Sequence, residues 1–338
     1  MNRADAMVPG TRWQQASLLV FLVVIATVPF WADDYWTRIF TGVAMWSALA
    51  MSWNIMGGYA GYISFGQVAF FGIGAYTTAL LMQKGPGWSF FATLPVGAVL
   101  AGVLAVLIGW PVLRLRGAYF AIATWALAEA FLQIATAAGF TGGSSGLTLP
   151  INASTSFFYY SMLIPAVVTF VLCWLLLERS RFGYRIKAVR DHEAAAESIG
   201  IDTNRVKIQA FAFSAVIPGV FGGIYAYWIT FINPTSVLAG DITDQMVVMA
   251  LVGGLGRIWG PALGATVLYL VDRQFIASFG ETTAYIAVIG GLLALIVLFL
   301  PDGLISLFSR GRRMALSRQL LVRLLPDRSG TTGRGGRL

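Results

Sequence analysis

ERSRFGYRIKAVRDHEAAAESIGIDTNRVK, residues 178–207, is a long polar stretch set between two blocks of strongly apolar sequence. Seven basic residues, Arg179, Arg181, Arg185, Lys187, Arg190, Arg205 and Lys207, stand against Glu178, Asp191, Glu193, Glu197 and Asp202. From about Tyr184 to Ile199 there is no Pro or Gly, and Ala, Arg and Glu are abundant, which predicts a short helix. Gly200 stands where a helix C-terminus calls for a left-handed residue. Asp202 or Thr203 can then cap the next apolar helix. The small side chains Ala194, Ala195 and Ala196 suit docking into a groove on another protein; the same stretch also reads as a solvated connector.

Composition fixes the setting. Of 338 residues, 57% are hydrophobic and only 11% are charged, whereas soluble domains carry about 25% charged residues. The chain reads as an all-α polytopic membrane protein. Its net charge of +8 is therefore first a signal of topology, not of nucleic-acid binding. The single Cys173 lies in an apolar run and excludes an internal disulfide. One His, His192, and one Cys, far apart, offer no metal-ligand cluster. The first apolar run, Ser17 to Trp31, lacks a small-x-small cleavage pattern and reads as a retained span.

A bilayer-crossing helix needs about 20 apolar residues. Such stretches lie near 17–32, 37–56, 61–82, 89–113, 118–138, 157–177, 207–232, 258–276 and 281–300, with a shorter run at 238–256. Counting the short run as a crossing gives about ten spans with both termini on the side of the polar loop. Of the 23 Lys and Arg residues, only Arg38, Lys84 and Arg273 then fall on the opposite side. The positive-inside rule makes the loop side cytoplasmic. The expected organisation is a cytoplasmic N-terminus at 1–16, a membrane domain at 17–304 and a basic tail at 305–338. The end of the tail is Gly-rich and reads as disordered, and Arg312 to Leu325 suits an anionic lipid surface or a solvated tail.

Glycines recur at intervals of four: Gly57 and Gly61, Gly219 and Gly223, then Gly256, Gly260 and Gly264. Such spacing lets helices approach closely in lipid. GGYAGYISFGQ at 57–67 has a second reading, a broken helix lining a path, because it adds Ser64 and Gln67 to its glycines. GGLGRIWGP at 253–261, with Gly253 and Gly254, is similar in outline. Glu129 is the acidic residue placed in mid-span; it reads as a gate or proton site, or as a packing hydrogen bond. No G-x-x-x-x-G-K-[ST] motif occurs, so any ATP chemistry belongs to a partner.

Four blocks together resemble the LivM-type permease subunits of branched-chain amino acid ATP-binding cassette importers. They are GGYAGYISFGQVAFFGIGAYTTALL at 57–81, Arg116 through Glu129 to TGGSSGL at 141–147, the polar loop itself, and ALVGGLGRIWGPALGATVL at 250–268 with FLPDGL at 299–304. Tyr62 and Gln67 stand where the family pattern carries Gln and His. The resemblance implies a permease half of the type II importer class in a bacterial inner membrane. It implies that the loop couples to an ATP-binding subunit through Arg181, Phe182, Gly183, Arg185, Arg190, Ala194, Ala195 and Gly200. Counting back from Gly200, the Glu of the family's Glu-Ala-Ala motif is Ala194 here, with Glu193 one residue earlier. The translocation path is expected at Ser64, Gln67, Glu129, Gly253 and Gly254. Implied partners are a LivH-type permease, two ATP-binding subunits that hold ATP and Mg, an extracytoplasmic solute-binding protein and membrane lipid. No cofactor on this chain and no enzymatic role are expected. Transport of urea, short amides or other amino acids remains open, as does a proton-coupled secondary transporter using Glu129.

Overall fold

The computed structural model describes residues 25–84, 88–151, 154–279, 290–291 and 303–308. A single turn, α1 (Val28–Trp31), precedes α2 (Asp34–Asn54), which continues as a π-helix over Ile55–Ala60. Next come α3 (Gln67–Lys84), α4 (Phe90–Val112), α5 (Ala118–Ala137) and α6 (Thr155–Cys173), the last continuing as a π-helix over Trp174–Arg179. Two short helices, α7 (Arg181–Asp191) and α8 (Glu193–Ser198), occupy the polar loop. The chain goes on through α9 (Thr203–Ile229), α10 (Pro234–Leu238), α11 (Asp241–Gly253) and α12 (Trp259–Phe279). It is an all-α polytopic bundle, as composition requires.

Among the described residues, six helical stretches are long and apolar enough to cross a membrane: Asp34–Ala60, Phe90–Val112, Ala118–Ala137, Thr155–Arg179, Thr203–Ile229 and Pro234–Gly253. They differ in burial. In the most apolar window of Asp34–Ala60, 83% of residues are buried inside the protein, against 22% for α4 and for α5. So α2 forms the centre, and α4 and α5 turn apolar side chains such as Leu107, Trp110, Ile122 and Trp125 outward. Outward apolar faces are stable only against lipid or another protein.

The helices α2, α3, α4, α5, α6, α9, α11 and α12 alternate in direction between a near end, which carries the polar loop, and a far end. The short run at 238–256 is among these passes. α11 starts beside the far-end residues of α9 and finishes where the Gly256 amide meets Asn54, at the near end of α2. Gly303 packs on Gly253 and Gly254, so the 3₁₀ turn Leu304–Phe308 is also at the near end. Loop and tail start therefore share one side. Of the ten expected spans, the first half of 17–32 and almost all of 281–300 lie outside the described residues, as do all of 1–16 and most of 305–338.

Close helix contacts explain part of the glycine spacing. A β-carbon on Gly74 of α3 would collide with the Gly219 carbonyl of α9, and Gly97 of α4 meets the same crossing. Gly260 and Gly264 of α12 lie equally tightly on α11. Gly61 and Gly256 are different: both lie outside helices at positive φ, +77° and +68°. At the far end a minimal antiparallel ladder pairs β1 (Leu147–Thr148) with β2 (Phe231–Ile232), tying the Gly/Ser/Thr loop to the end of α9.

Candidate functional site

The polar loop folds as two helices, not one. At His192 the backbone is extended (φ −161°, ψ 101°), and its Nδ1 accepts from the Ala195 amide at 3.2 Å, capping α8. That local bond outcompetes the helix propensity of the surrounding alanines. Ser180 caps α7 by accepting from the Phe182 amide, and Asp202 caps α9 by accepting from Arg205 at 3.0 Å. Gly200 turns the chain between α8 and α9 at φ +84°, with open space around its α-carbon. Its requirement is therefore conformational.

Two carboxylates brace this loop against the bundle. Glu193 accepts from Lys207 at 2.6 Å and from the Tyr62 hydroxyl at 3.1 Å, and pairs with Arg116 at 3.3 Å. Lys207 is buried and also donates to the Leu113 carbonyl. Burial pushes the Glu193 carboxyl up, but the Lys207 hydrogen bond and charge, with Tyr62 and Arg116, outweigh it and hold it below the usual glutamate value. Glu178 accepts from the Tyr59 hydroxyl at 2.7 Å and pairs with Lys187 at 2.8 Å. The third link is Arg190, whose Nη1 donates to the Gly58 carbonyl at 3.1 Å while Nε and Nη2 hold Asp191.

Those braces end on a break in the helices. Past the π-turn at Ile55–Ala60, residues 61–66 are irregular until α3 begins at Gln67. Neighbouring helices satisfy backbone here: within the break the Phe65 amide donates to Thr124 Oγ1, and in the first turn of α3 the Val68 amide donates to Thr243 Oγ1, each at 3.0 Å. Irregular backbone among membrane helices needs such protein partners. The second glycine stretch meets the first here. Asn54 accepts from the Gly256 amide at 2.9 Å and donates to the Arg257 carbonyl at 3.0 Å. Arg190, Gly58, Asn54 and Gly256 thus form one junction between the loop and two interrupted helices.

The expected loop residues divide in two. Arg181, Arg185, Ala194 and Ala195 are exposed, with Tyr184 at 71% and Ile199 at 75% beside them. Gly183 is buried against the Leu177 carbonyl, and Phe182 is half-buried on the core. Ala196 points inward at 2% exposure, so only two of the three alanines face out. Ser64 and Gln67 are fully buried; Gln67 donates to Ser214 at 3.2 Å, and its Oε1 has no protein partner. Gly253 packs on Gly260, and Gly254 ends α11 at φ +114°. Glu129 is apart from all of these. It lies on the exposed face of α5 and accepts from Gln133 of its own helix at 2.7 Å. Asn54 escaped the sequence reading; a lone amide in an apolar run was its only signal.

Fold and junction define a class: a multi-pass helical membrane protein whose polar elements gather at one end. The family model described as the permease component of branched-chain amino acid transport systems matches residues 35–298. The chain belongs to that permease family. It is 28% identical over 334 residues to the LivM high-affinity branched-chain amino acid transport permease of Escherichia coli K12, covering 89% of this chain and 77% of the relative. A probable LivM permease of Methanocaldococcus jannaschii is 25% identical, covering 80% and 93%. The LivH permease of Escherichia coli K12 is 27% identical, covering 80% and 94%. No solved structure matches the chain.

Proposed function

We propose that this permease is one of two membrane-spanning subunits of an ATP-driven importer for branched-chain amino acids in a bacterial inner membrane. The observation that carries the coupling is the α7–α8 pair: small exposed alanines on one side, and braces to the broken-helix junction on the other. ATP-binding subunits, holding ATP and Mg, dock on Ala194, Ala195 and Gly200, with Arg181 and Arg185 at the rim. Gly183 and Phe182 fix the angle at which α7 leaves the bundle, and Arg190 passes displacement to Gly58. Because the loop is anchored by Lys207–Glu193 and Lys187–Glu178, it moves with its helices rather than flexing alone. ATP binding then shifts the balance between two orientations of the halves through differential docking. Ser64 and Gln67 lie on the path, beside Gly253 and Gly254. This chain performs no covalent chemistry and binds no cofactor of its own.

The loop faces the cytoplasm, with both termini, on the strength of the basic-residue asymmetry. A LivH-type permease and an extracytoplasmic solute-binding protein complete the assembly. The Glu129–Gln133 bond within one helix gives no relay partner for a proton, which weighs against the secondary-transporter reading. The test is uptake of labelled leucine and labelled urea in a strain lacking this chain, with and without the chain restored. Restored leucine uptake that needs the ATP-binding subunits supports the proposal. Restored urea uptake alone would replace the substrate, and uptake independent of ATP-binding subunits would end the coupling reading.

A further inference from the structure

At the far end of the bundle, opposite the loop, lies an open cavity of about 580 Å³ lined by residues of α2, α3, α9, α11 and α12. Its volume is in the range of small-molecule sites, about 300–1,000 Å³. It is lined by Arg38 and Arg273, two of the three basic residues on that side of the chain. Neither guanidinium is in an ion pair among the described residues; Arg273 lies over the Tyr269 ring at 5.0 Å. Asp34 and Asp272, near them in sequence, and Asp241, next to Ile242, do not line the cavity, although the Asp272 charge acts on Tyr269 in its wall. The cavity is also deep. On α2 its wall runs from Arg38 to Leu49, about 16 Å at 1.5 Å per residue. Trp46 and Trp228 also line it, and Leu49 and Phe71, otherwise among the most buried side chains, are the lining residues of α2 and α3 farthest from the mouth.

A cationic mouth over an aromatic and aliphatic interior suits a small solute with a carboxylate at one end and hydrocarbon at the other. We propose that this cavity is a vestibule within the single subunit that receives a small carboxylic acid with an apolar side chain, its carboxylate on Arg38 and Arg273 and its hydrocarbon toward Leu49 and Phe71. The walls belong to inward faces of the bundle, which favours a free solute over a lipid. One turn of α3 beyond Phe71 stands Gln67 with its unpartnered Oε1, the next polar group on the way toward the junction at Asn54. Phe71 is then the apolar barrier between vestibule and path. The assignment deepens the import reading, since it places the substrate's carboxylate.

The test is protection from thiol labelling in the full chain in native membranes. Ile242→Cys, in a Cys173→Ala background, puts a partly exposed thiol on the cavity wall. A small methanethiosulfonate reagent is applied with L-leucine, with leucinamide, or with neither. Leucine should slow labelling severalfold and leucinamide should not. Adding Arg38→Gln and Arg273→Gln should abolish protection while the unliganded thiol still labels to completion, which shows that the cavity stays accessible. No protection by leucine, equal protection by leucinamide, or protection that tracks phosphatidylglycerol content instead of leucine would each overturn the proposal. Leucine uptake by the same cells separates this from the import reading. Uptake without protection sinks the vestibule alone, and protection without uptake sinks the import reading alone.

Discussion

The Arg190 guanidinium donates at 3.1 Å to the carbonyl oxygen of Gly58, joining the polar loop to the break between α2 and α3. The Arg190 Nη1 also lies about 3.0 Å from where a β-carbon on Gly256 would be. One side chain therefore touches the loop and both glycine stretches. If it transmits displacement, Arg190→Ala should leave the permease in the membrane with its ATP-binding subunits attached, yet lower leucine uptake severalfold. Measuring co-purification beside uptake checks this. Normal uptake by Arg190→Ala would remove Arg190 from the transmission route.

The Lys207–Glu193 pair predicts a stability effect. Removing one partner of a fully buried pair costs about 3–5 kcal/mol because the remaining charge is stranded, and this pair, with Lys207 buried and Glu193 partly so, should cost less. Glu193→Ala should therefore lower the thermal unfolding temperature of the detergent-solubilised permease more than Glu193→Gln, which keeps an acceptor for Lys207. Equal effects would show that a neutral acceptor does nothing for Lys207 and that the lost charge alone accounts for the effect.

The same carboxylate sets a pH dependence. The Glu193 carboxyl is held below its ordinary value in the folded protein. Its contribution is fully present above the unfolded glutamate pKa, about 4.3, and is lost as pH falls through the lower folded value. The stability gap between wild type and Glu193→Gln should stay constant from neutral pH to about 5 and close below the glutamate range. A gap that closes near neutral pH would contradict the assignment.

Glu129 yields a milder expectation. Its hydrogen bond to Gln133 is intrahelical, and an amide preserves volume and hydrogen bonding. Glu129→Gln should retain assembly and most leucine uptake, as measured in cells. Abolished uptake with normal assembly would make this acid functional and revive the proton-coupled reading.

What the sequence disclosed was local, and what it concealed was long-range. Gly200 at positive φ, the Asp202 cap and the interruption within 57–67 each follow from residue types within a few positions. The helix break at His192 did not, because the alanines around it favour continuation and only the Nδ1 cap opposes them. The inward turn of Ala196 depends on the angle of that break. Asn54 meeting Gly256, and Tyr59 meeting Glu178, join residues separated by more than a hundred positions. No local pattern announces them. Five of these apolar crossings were visible from length and hydropathy, and the short run at 238–256 was counted from the charge pattern, whereas the burial that separates α2 from α4 and α5 comes only from packing.

The central claim is that the exposed α8 turn binds ATP-binding subunits and that this binding drives transport. Ala195 is exposed, so Ala195→Glu leaves the internal packing of the permease untouched while placing a bulky charge on the docking face. Overpacking a close interface costs about 1–3 kcal/mol, and burying an unpaired charge adds to it. The decisive measurement is the amount of ATP-binding subunit that co-purifies with tagged Ala195→Glu permease, read beside labelled leucine uptake. The account predicts normal permease in the membrane, little or no co-purified ATP-binding subunit and lost uptake; wild-type amounts of both would contradict it and leave the loop a connector.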